Sequence, residues 1–253
     1  MGTLLDQALG LQTTNQALPR GKVFLIKDGV RCHGSFVLHH LLTRALPSSL
    51  VLFLALAEPF SHYDRILKKL GCNLTAQREN NKFLFFDLLQ LGSPGVERES
   101  LVEGGLFELY GKIHKVVELN AASNGNGNIC IMIDDVSLLE IAARGFLDSV
   151  LNFLHYCHAL TSVQGCSLVL LGHEDIYSNM PHPRFLFQIE YFADVMISVK
   201  PLATGLSADV HGQLTVLNKG SFDEQSLSKN KICNFQFRIK ENSVEYFYPG
   251  AKI

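Results

Sequence analysis

Gly29-Val30-Arg31-Cys32-His33-Gly34-Ser35-Phe36 has the glycine spacing of a phosphate-binding loop without the two residues that give such a loop its chemistry. In the motif G-x-x-x-x-G-K-[ST] the glycines let backbone amides approach the phosphates. The lysine neutralises the outer phosphates and the hydroxyl ligates magnesium. Gly29 and Gly34 keep the frame, but Ser35 stands at the lysine position and Phe36 at the hydroxyl position. The expectation is a nucleotide-binding frame that has lost turnover. Two glycines at this spacing also occur in ordinary strand-to-helix turns, so the elements around them decide between the readings.

Two further groups could contribute to such a site. Asp134-Asp135 follows the apolar run Ile129-Cys130-Ile131-Met132-Ile133, which is where a nucleotide-binding site places the acid that holds magnesium. The same pair suits a helix N-terminus, because carboxylates accept orphan amide hydrogens and favour the positive end of the helix dipole. Both readings can hold together. Glu58 ends the apolar run 51–57, and ligands of open parallel sheets gather at the carboxyl ends of strands. Its position resembles that of the glutamate that polarises the attacking water in RecA-like ATPases. Without a lysine or a hydroxyl ligand for magnesium, such a base has little to act on, since phosphoryl transfer depends on positioning and charge stabilisation.

The elements that must position these residues are legible from periodicity. Residues 23–29 form a buried strand leading into the glycine loop, and Phe36, Val37, Leu38, Leu41, Leu42, Ala45 and Leu46 recur at helical spacing after it. Ser61 with Asp64 predicts a capped helix carrying Ile66, Leu67 and Leu70 and ended by Gly71. Residues 82–89 form a further strand. Ser100 with Glu103 opens a helix through Leu106, Leu109, Ile113, Val116 and Val117. Residues 142–160 predict one helix despite Gly145, and 167–171 a buried strand. Strands alternating with helices imply parallel pairing through right-handed crossovers. After Ala193 the texture changes to short strands without helices, at 195–199, 211–217, 235–239 and 244–248, with Glu241-Asn242-Ser243 as a hairpin turn. The fold class expected is α/β, a mainly parallel central sheet flanked by helices, with an antiparallel carboxyl-terminal extension. As a domain plan this is one unit over 1–253: an amino-terminal segment 1–19, a core 20–192 and a β-rich part 193–253.

Composition narrows the function classes. The 253 residues are 47% hydrophobic and 18% charged, enough for a large core, and the formal net charge of −2 argues against coating nucleic acid by bulk charge. Any RNA contact must be local. Six cysteines without a C-x-x-C pair read as small buried hydrophobes of a reducing compartment. Neither they nor the ten histidines have the ligand spacing of a structural metal site. No apolar stretch approaches the ~18 residues of a membrane span, so a soluble intracellular protein is expected, with no metal and no cofactor.

Several stretches together carry a more specific likeness. Phe60-Ser61-His62-Tyr63 leading to Lys69-Leu70-Gly71, Asp134 after its strand, Leu202-Ala203-Thr204-Gly205, and Asp209-Val210-His211-Gly212-Gln213-Leu214 resemble the family of the sixth subunit of the Elongator complex. The likeness runs from about Gly21 to Tyr248. It implies a RecA-like fold without intact ATPase signatures, assembled with the paralogous fourth and fifth subunits into a six-membered ring with two copies of each. It further implies that the ring binds tRNA and supports modification of the wobble uridine, U34, while another subunit does the chemistry. No catalytic residue is then expected here. Gly29, Gly34, Ser35, Phe36, Glu58 and Asp134 would be the remains of a nucleotide pocket, in a cytoplasmic and also nuclear complex. In RecA-like rings the connection after the strand 167–171 faces the central channel, which makes Arg184 the first candidate for tRNA contact, with His182 and Phe185 beside it. Phe185, Leu186 and Phe187 suit the core or a subunit interface equally well. The competing function is a divergent ATPase of the RecA or circadian-clock type, using Glu58 and Asp134 with Arg31 or Lys27 as the missing cation.

Overall fold

A computed structural model describes residues 2–11, 17–89, 105–124, 127–143, 146–181, 183–205, 207, 209–220 and 230–250. Among these residues nine strands form one sheet: β1 (Val23–Asp28), β2 (Ser49–Ala55), β3 (Phe83–Asp87), β4 (Asn128–Ile133), β5 (Ser167–His173), β6 (Val195–Lys200), β7 (Gly212–Asn218), β8 (Lys231–Ile239) and β9 (Val244–Phe247). Their order is β3-β2-β4-β5-β1-β6-β7-β8-β9. Neighbours from β3 to β6 run parallel, and those from β6 to β9 antiparallel.

The central strands are buried on both faces, so their residues alternate between two cores. Phe24, Ile26, Phe53, Met132, Val169 and Leu171 enter one core, together with Val37 and Leu41 of α2 (Ser35–Ala45) and Tyr63 and Leu67 of α3 (Phe60–Lys69). Val23, Leu25, Leu54, Ile131, Leu168 and Leu170 enter the other. There they meet α5 (Leu106–Asn124), α6 (Val136–Ala143), α7 (Leu147–Gln164) and α8 (Arg184–Phe192). Continuous apolar runs are what a parallel sheet covered by helices on both faces requires. The antiparallel half is covered on one face only. Leu214, Val216, Phe235 and Phe237 point into the first core while Gln213 and Asn234 are exposed, which is the source of the strict alternation in this part of the sequence.

Two local expectations change, and two short helices are added to those the periodicity predicts. The helix over 60–69 begins after Pro59, whose extended backbone delivers the chain into the first turn with no side-chain cap. Ser61 lies inside that helix, and Asp64 instead pairs with Lys68 and accepts from Thr75. The single helix expected over 142–160 is two, α6 and α7, since Asp135 caps the first at Val136 and the second starts after Phe146. The amino-terminal segment folds as α1 (Leu4–Ala8), with Leu5, Leu9, Leu11 and Leu18 in the first core. A further short helix, α4 (Leu74–Glu79), follows Asn73, which caps it through Ala76. Ser100, Glu103 and Gly145 lie outside the described residues.

Candidate functional site

β1 delivers the chain at Asp28 and α2 takes it up at Ser35, so the glycine loop sits at the carboxyl end of the sheet as its spacing predicts. The strand-loop-helix order is present, but the loop is closed on itself. The Cys32 amide donates to the Gly29 carbonyl at 2.9 Å, making a tight turn across residues 29–32. Two loop amides are already engaged by carboxylates of this chain. Gly34 N–H donates to Asp28 Oδ2 at 2.5 Å, and Val30 N–H to Asp175 Oδ2 at 2.7 Å, from a 3-10 turn at Asp175–Tyr177. Loop amides that could bind phosphate therefore already hold an internal anion.

The glycines serve that closure. A Cβ on Gly34 would sit 3.1 Å from Ile26 Cγ2 and 3.2 Å from Asp28 Cβ, and one on Gly29 would sit 3.1 Å from Asp175 Cγ. Each would press against the chain's own side chains. Ser35 is exposed at the first position of α2. Phe36 packs its ring on Phe237 of β8, with centroids 4.7 Å apart. At the position where a magnesium ligand would stand there is thus a packing contact between α2 and the antiparallel extension.

The cation of the site is His173, at the end of β5, the strand lying between β1 and β4. Its Nδ1 lies 2.5 Å from Asp28 Oδ1 and its Nε2 3.1 Å from Asp135 Oδ2. Hydrogen bonds to Asp135 and then Asp28 outweigh the opposing effect of burial and push the imidazole up to about 10. A protonated histidine thus ties the loop strand to the acidic strand, where a bound nucleotide would rely on lysine and magnesium.

Asp134 and Asp135 have separate duties. Asp135 Oδ1 accepts from the amides of Ser137 and Leu138 and caps α6. Asp134 is buried and accepts from Leu56 N–H at 2.7 Å, Ala57 N–H at 3.1 Å and Tyr63 Oη at 2.6 Å. Burial raises it to about 6 against the lowering effect of those donors. With its oxygens taken up by three donors, Asp134 works as a latch between β4, the end of β2 and α3. Glu58 is exposed, 3.5 Å from His62 Nδ1. Of the two alternative cations, only Lys27 is paired. Lys27 Nζ lies 2.6 Å from Glu190 and 3.6 Å from Glu174, while Arg31 is exposed at the turn. Among the described residues no group of three or more His, Cys, Asp or Glu could hold a metal ion, and no helix is long and apolar enough to cross a membrane.

The connection after β5 is more ordered than the expected loop, since α8 starts at Arg184 after Pro183. Phe185 is only 1% exposed and belongs to the second core, so its ring cannot stack on a base. Arg184 lies on the surface, 3.0 Å from Asp148 of α7, and shares a shallow recess with Phe187, Gln188 and Tyr191. Tyr191 is 85% exposed. His182 lies outside the described residues. Asp28, Asp175 and His173 are the site residues that sequence reasoning missed. The signal that could have found them is a charged or titratable side chain at the carboxyl end of an otherwise apolar strand or just beyond it.

A three-layer α/β fold with a glycine loop between β1 and α2 and an acid at the end of β4 defines a RecA-like fold whose glycine loop is filled from within by the chain's own carboxylates. The fold likeness is borne by solved structures. A KaiC-like protein from the hyperthermophilic archaeon Pyrococcus horikoshii matches with a TM-score of 0.63 at 14% identity, covering 97% of this chain and 95% of that one. An uncharacterized protein of the same organism, in complex with an unknown peptide, matches with the same TM-score and identity. The model of the family "Elongation complex protein 6" matches residues 5–241, and the chain belongs to that family. Elongator complex protein 6 of Homo sapiens is 28% identical over 257 residues, covering 95% of each chain, and that of Rattus norvegicus 29% over 262 residues with the same coverage. The Dictyostelium discoideum protein of that name is 23% identical, covering 94% of this chain and 93% of its own.

Proposed function

We propose that this chain is a non-catalytic Elongator subunit that joins the paralogous fourth and fifth subunits in a six-membered ring. The ring binds tRNA and supports modification of the wobble uridine U34, carried out by a different subunit in the cytoplasm or nucleus. One observation carries the non-catalytic reading: the loop amides of Gly34 and Val30 donate to Asp28 and Asp175, and His173 fills the role of the cation. A nucleotide would have to displace two carboxylates from the loop amides and compete with them for His173. No residue of this chain then needs to turn over substrate, and its task is to fit beside others.

Ring membership fits a RecA-like unit that presents different faces to two neighbours, because heterologous contacts of that kind close into rings. Val30 at the loop turn and Val163 on α7 are large exposed apolar side chains on separate elements, suited to such contacts. For tRNA the α8 surface is the candidate, with Arg184 supplying charge and Tyr191 a stacking face in place of Phe185.

The test is co-purification of the tagged chain with the fourth and fifth subunits, followed by sedimentation and magnesium-ATP titration. The expected result is a hexamer from the three subunits, aggregation of the chain expressed alone, and no ATP binding by its own loop. A stable monodisperse monomer that ignores the paralogues, or tight magnesium-dependent ATP binding by the chain alone, would overturn the reading.

A further inference from the structure

Among its eighteen residues α7 carries one acid, Asp148 in the first turn, and no lysine or arginine. Its inner stripe, Val150, Leu151, Leu154, Cys157 and Leu160, belongs to the second core. On the outer stripe Asn152, Tyr156, Ala159 and Val163 are exposed, at a spacing that puts them on one face. A helix normally carries its charges on such a face. Beside it on α5, Phe107 is 72% exposed, and the Tyr110 ring packs against that of Tyr156 with centroids 5.0 Å apart. Between the two helices lies a recess of about 230 Å³ walled by Phe107, Tyr110, Phe153 and Tyr156, and among the described residues none that lines it is charged. Aromatic side chains at a centre without charge are the composition of a protein interface core.

We infer that the groove between α5 and α7 receives a helix of the neighbouring ring subunit, laid antiparallel to α7 with an uncharged face inward; this rests on the ring reading above. The groove selects its occupant. Nucleic acid and anionic lipid surfaces both require cations around the contact. α7 offers none, and Lys112 of α5 is paired with Glu108 at 2.7 Å. The recess is smaller than the ~300–1,000 Å³ typical of small-molecule pockets and suits one apolar anchor side chain of a partner. Both walls are helices, whose ridges leave a groove that a third helix can fill. Ala159, small and exposed, lets that helix approach closely. Charges at the two ends of α7 fix its direction. Asp148 stands at the amino end with 76% of its side chain exposed, although it also meets Arg184. At the carboxyl end Arg20 is exposed and donates to the Gln164 carbonyl at 3.5 Å. Acids in the first turn and bases in the last are what a helix dipole favours, so an antiparallel partner of that kind sets its acid against Arg20 and its base against Asp148.

The experiment uses the full chain co-expressed with the fourth and fifth subunits and compares substitutions on this face. Ala159→Glu keeps helix propensity but buries an unpaired charge in the groove, and should weaken assembly about 100-fold or more. Ala159→Ser should assemble as the unsubstituted chain does. Tyr156→Ala should weaken assembly about ten-fold or more, as for an aromatic anchor. Arg20→Glu should give a smaller loss that fades at high salt. A crosslink keeps the test independent of how these variants fold. Benzoylphenylalanine placed at Val163, which is 75% exposed, in an otherwise unsubstituted chain should react with a helical segment of the fourth or fifth subunit. Assembly by Ala159→Glu as tight as that of the unsubstituted chain would overturn the inference. So would crosslinks from Val163 confined to a second copy of this chain or to tRNA, or no crosslink from it in an assembled ring. Failure of the unsubstituted chain to join the two subunits would instead overturn the ring reading, and the partner named here with it.

Discussion

His173 sets one ring nitrogen against Asp28 and the other against Asp135, at 2.5 and 3.1 Å, and so clamps the end of the loop strand to the cap of α6 across β5. The folded imidazole titrates at about 10, well above its ordinary 6.5. A raised base contributes stability that is fully present below about pH 6.5 and is lost as pH rises through about 10. His173→Gln is expected to lower stability at pH 7 by about 2 kcal/mol, as for hydrogen bonds to charged groups, and to flatten the decline between pH 7 and 10. Urea denaturation of both proteins across that range checks this, and an unchanged pH slope would refute it.

Asp134 and Tyr63 make a second linkage with the opposite kind of group. The buried carboxyl is raised to about 6 from 3.8, so the folded state holds its proton to higher pH than the unfolded chain does. Through this group stability declines as pH rises from about 4 to 6 and is level above that. Asp134→Asn should remove that slope. Tyr63→Phe, which takes away the 2.6 Å donor, should cost about 1.5 kcal/mol. Denaturation midpoints at pH 4, 5, 6 and 7 distinguish the two effects.

Restoring the motif letters should not restore the chemistry. The double substitution Ser35→Lys with Phe36→Thr supplies the lysine and hydroxyl but leaves Asp28 and Asp175 on the loop amides. No magnesium-dependent ATP binding is expected by calorimetry. Loss of the Phe36 ring from Phe237 should cost about 1–3 kcal/mol of stability, less than a fully buried Phe because it is only partly covered. Measurable ATP binding by this variant would show that side-chain loss alone had silenced the loop.

Phe185 and Tyr191, on the same helix, should respond in opposite ways. Phe185→Ala empties a core position and is expected to cost about 3–5 kcal/mol. Tyr191→Ala should leave the melting temperature unchanged and weaken tRNA binding by the assembled ring about 5- to 100-fold, the range measured for one stacked base. Arg184→Glu should act in the same direction and steepen with falling salt. Unchanged RNA affinity in both Tyr191→Ala and Arg184→Glu would remove α8 from the RNA path.

The sequence by itself determined the strands and their grouping into a parallel core with an antiparallel extension. Runs such as Ile129 to Ile133 and the alternation around Leu214 and Phe235 encode burial on two faces or on one, and periodicity reports burial directly. It also determined that the glycine loop lacks its lysine and hydroxyl, because these are properties of single positions. Helix starts were less legible at Ser61 and across Ala143 to Leu147, where a proline and a cap from outside the periodic run took over. Only the tertiary structure decided what replaced the missing groups. Asp28, Asp175 and His173 are separated by up to 147 residues in the chain, yet meet because β5 lies beside β1 and its end brings His173 and the following turn onto the loop. The same holds for Phe185 and Tyr191, six positions apart on one helix, whose difference between core and surface is set by which side of α8 faces the sheet.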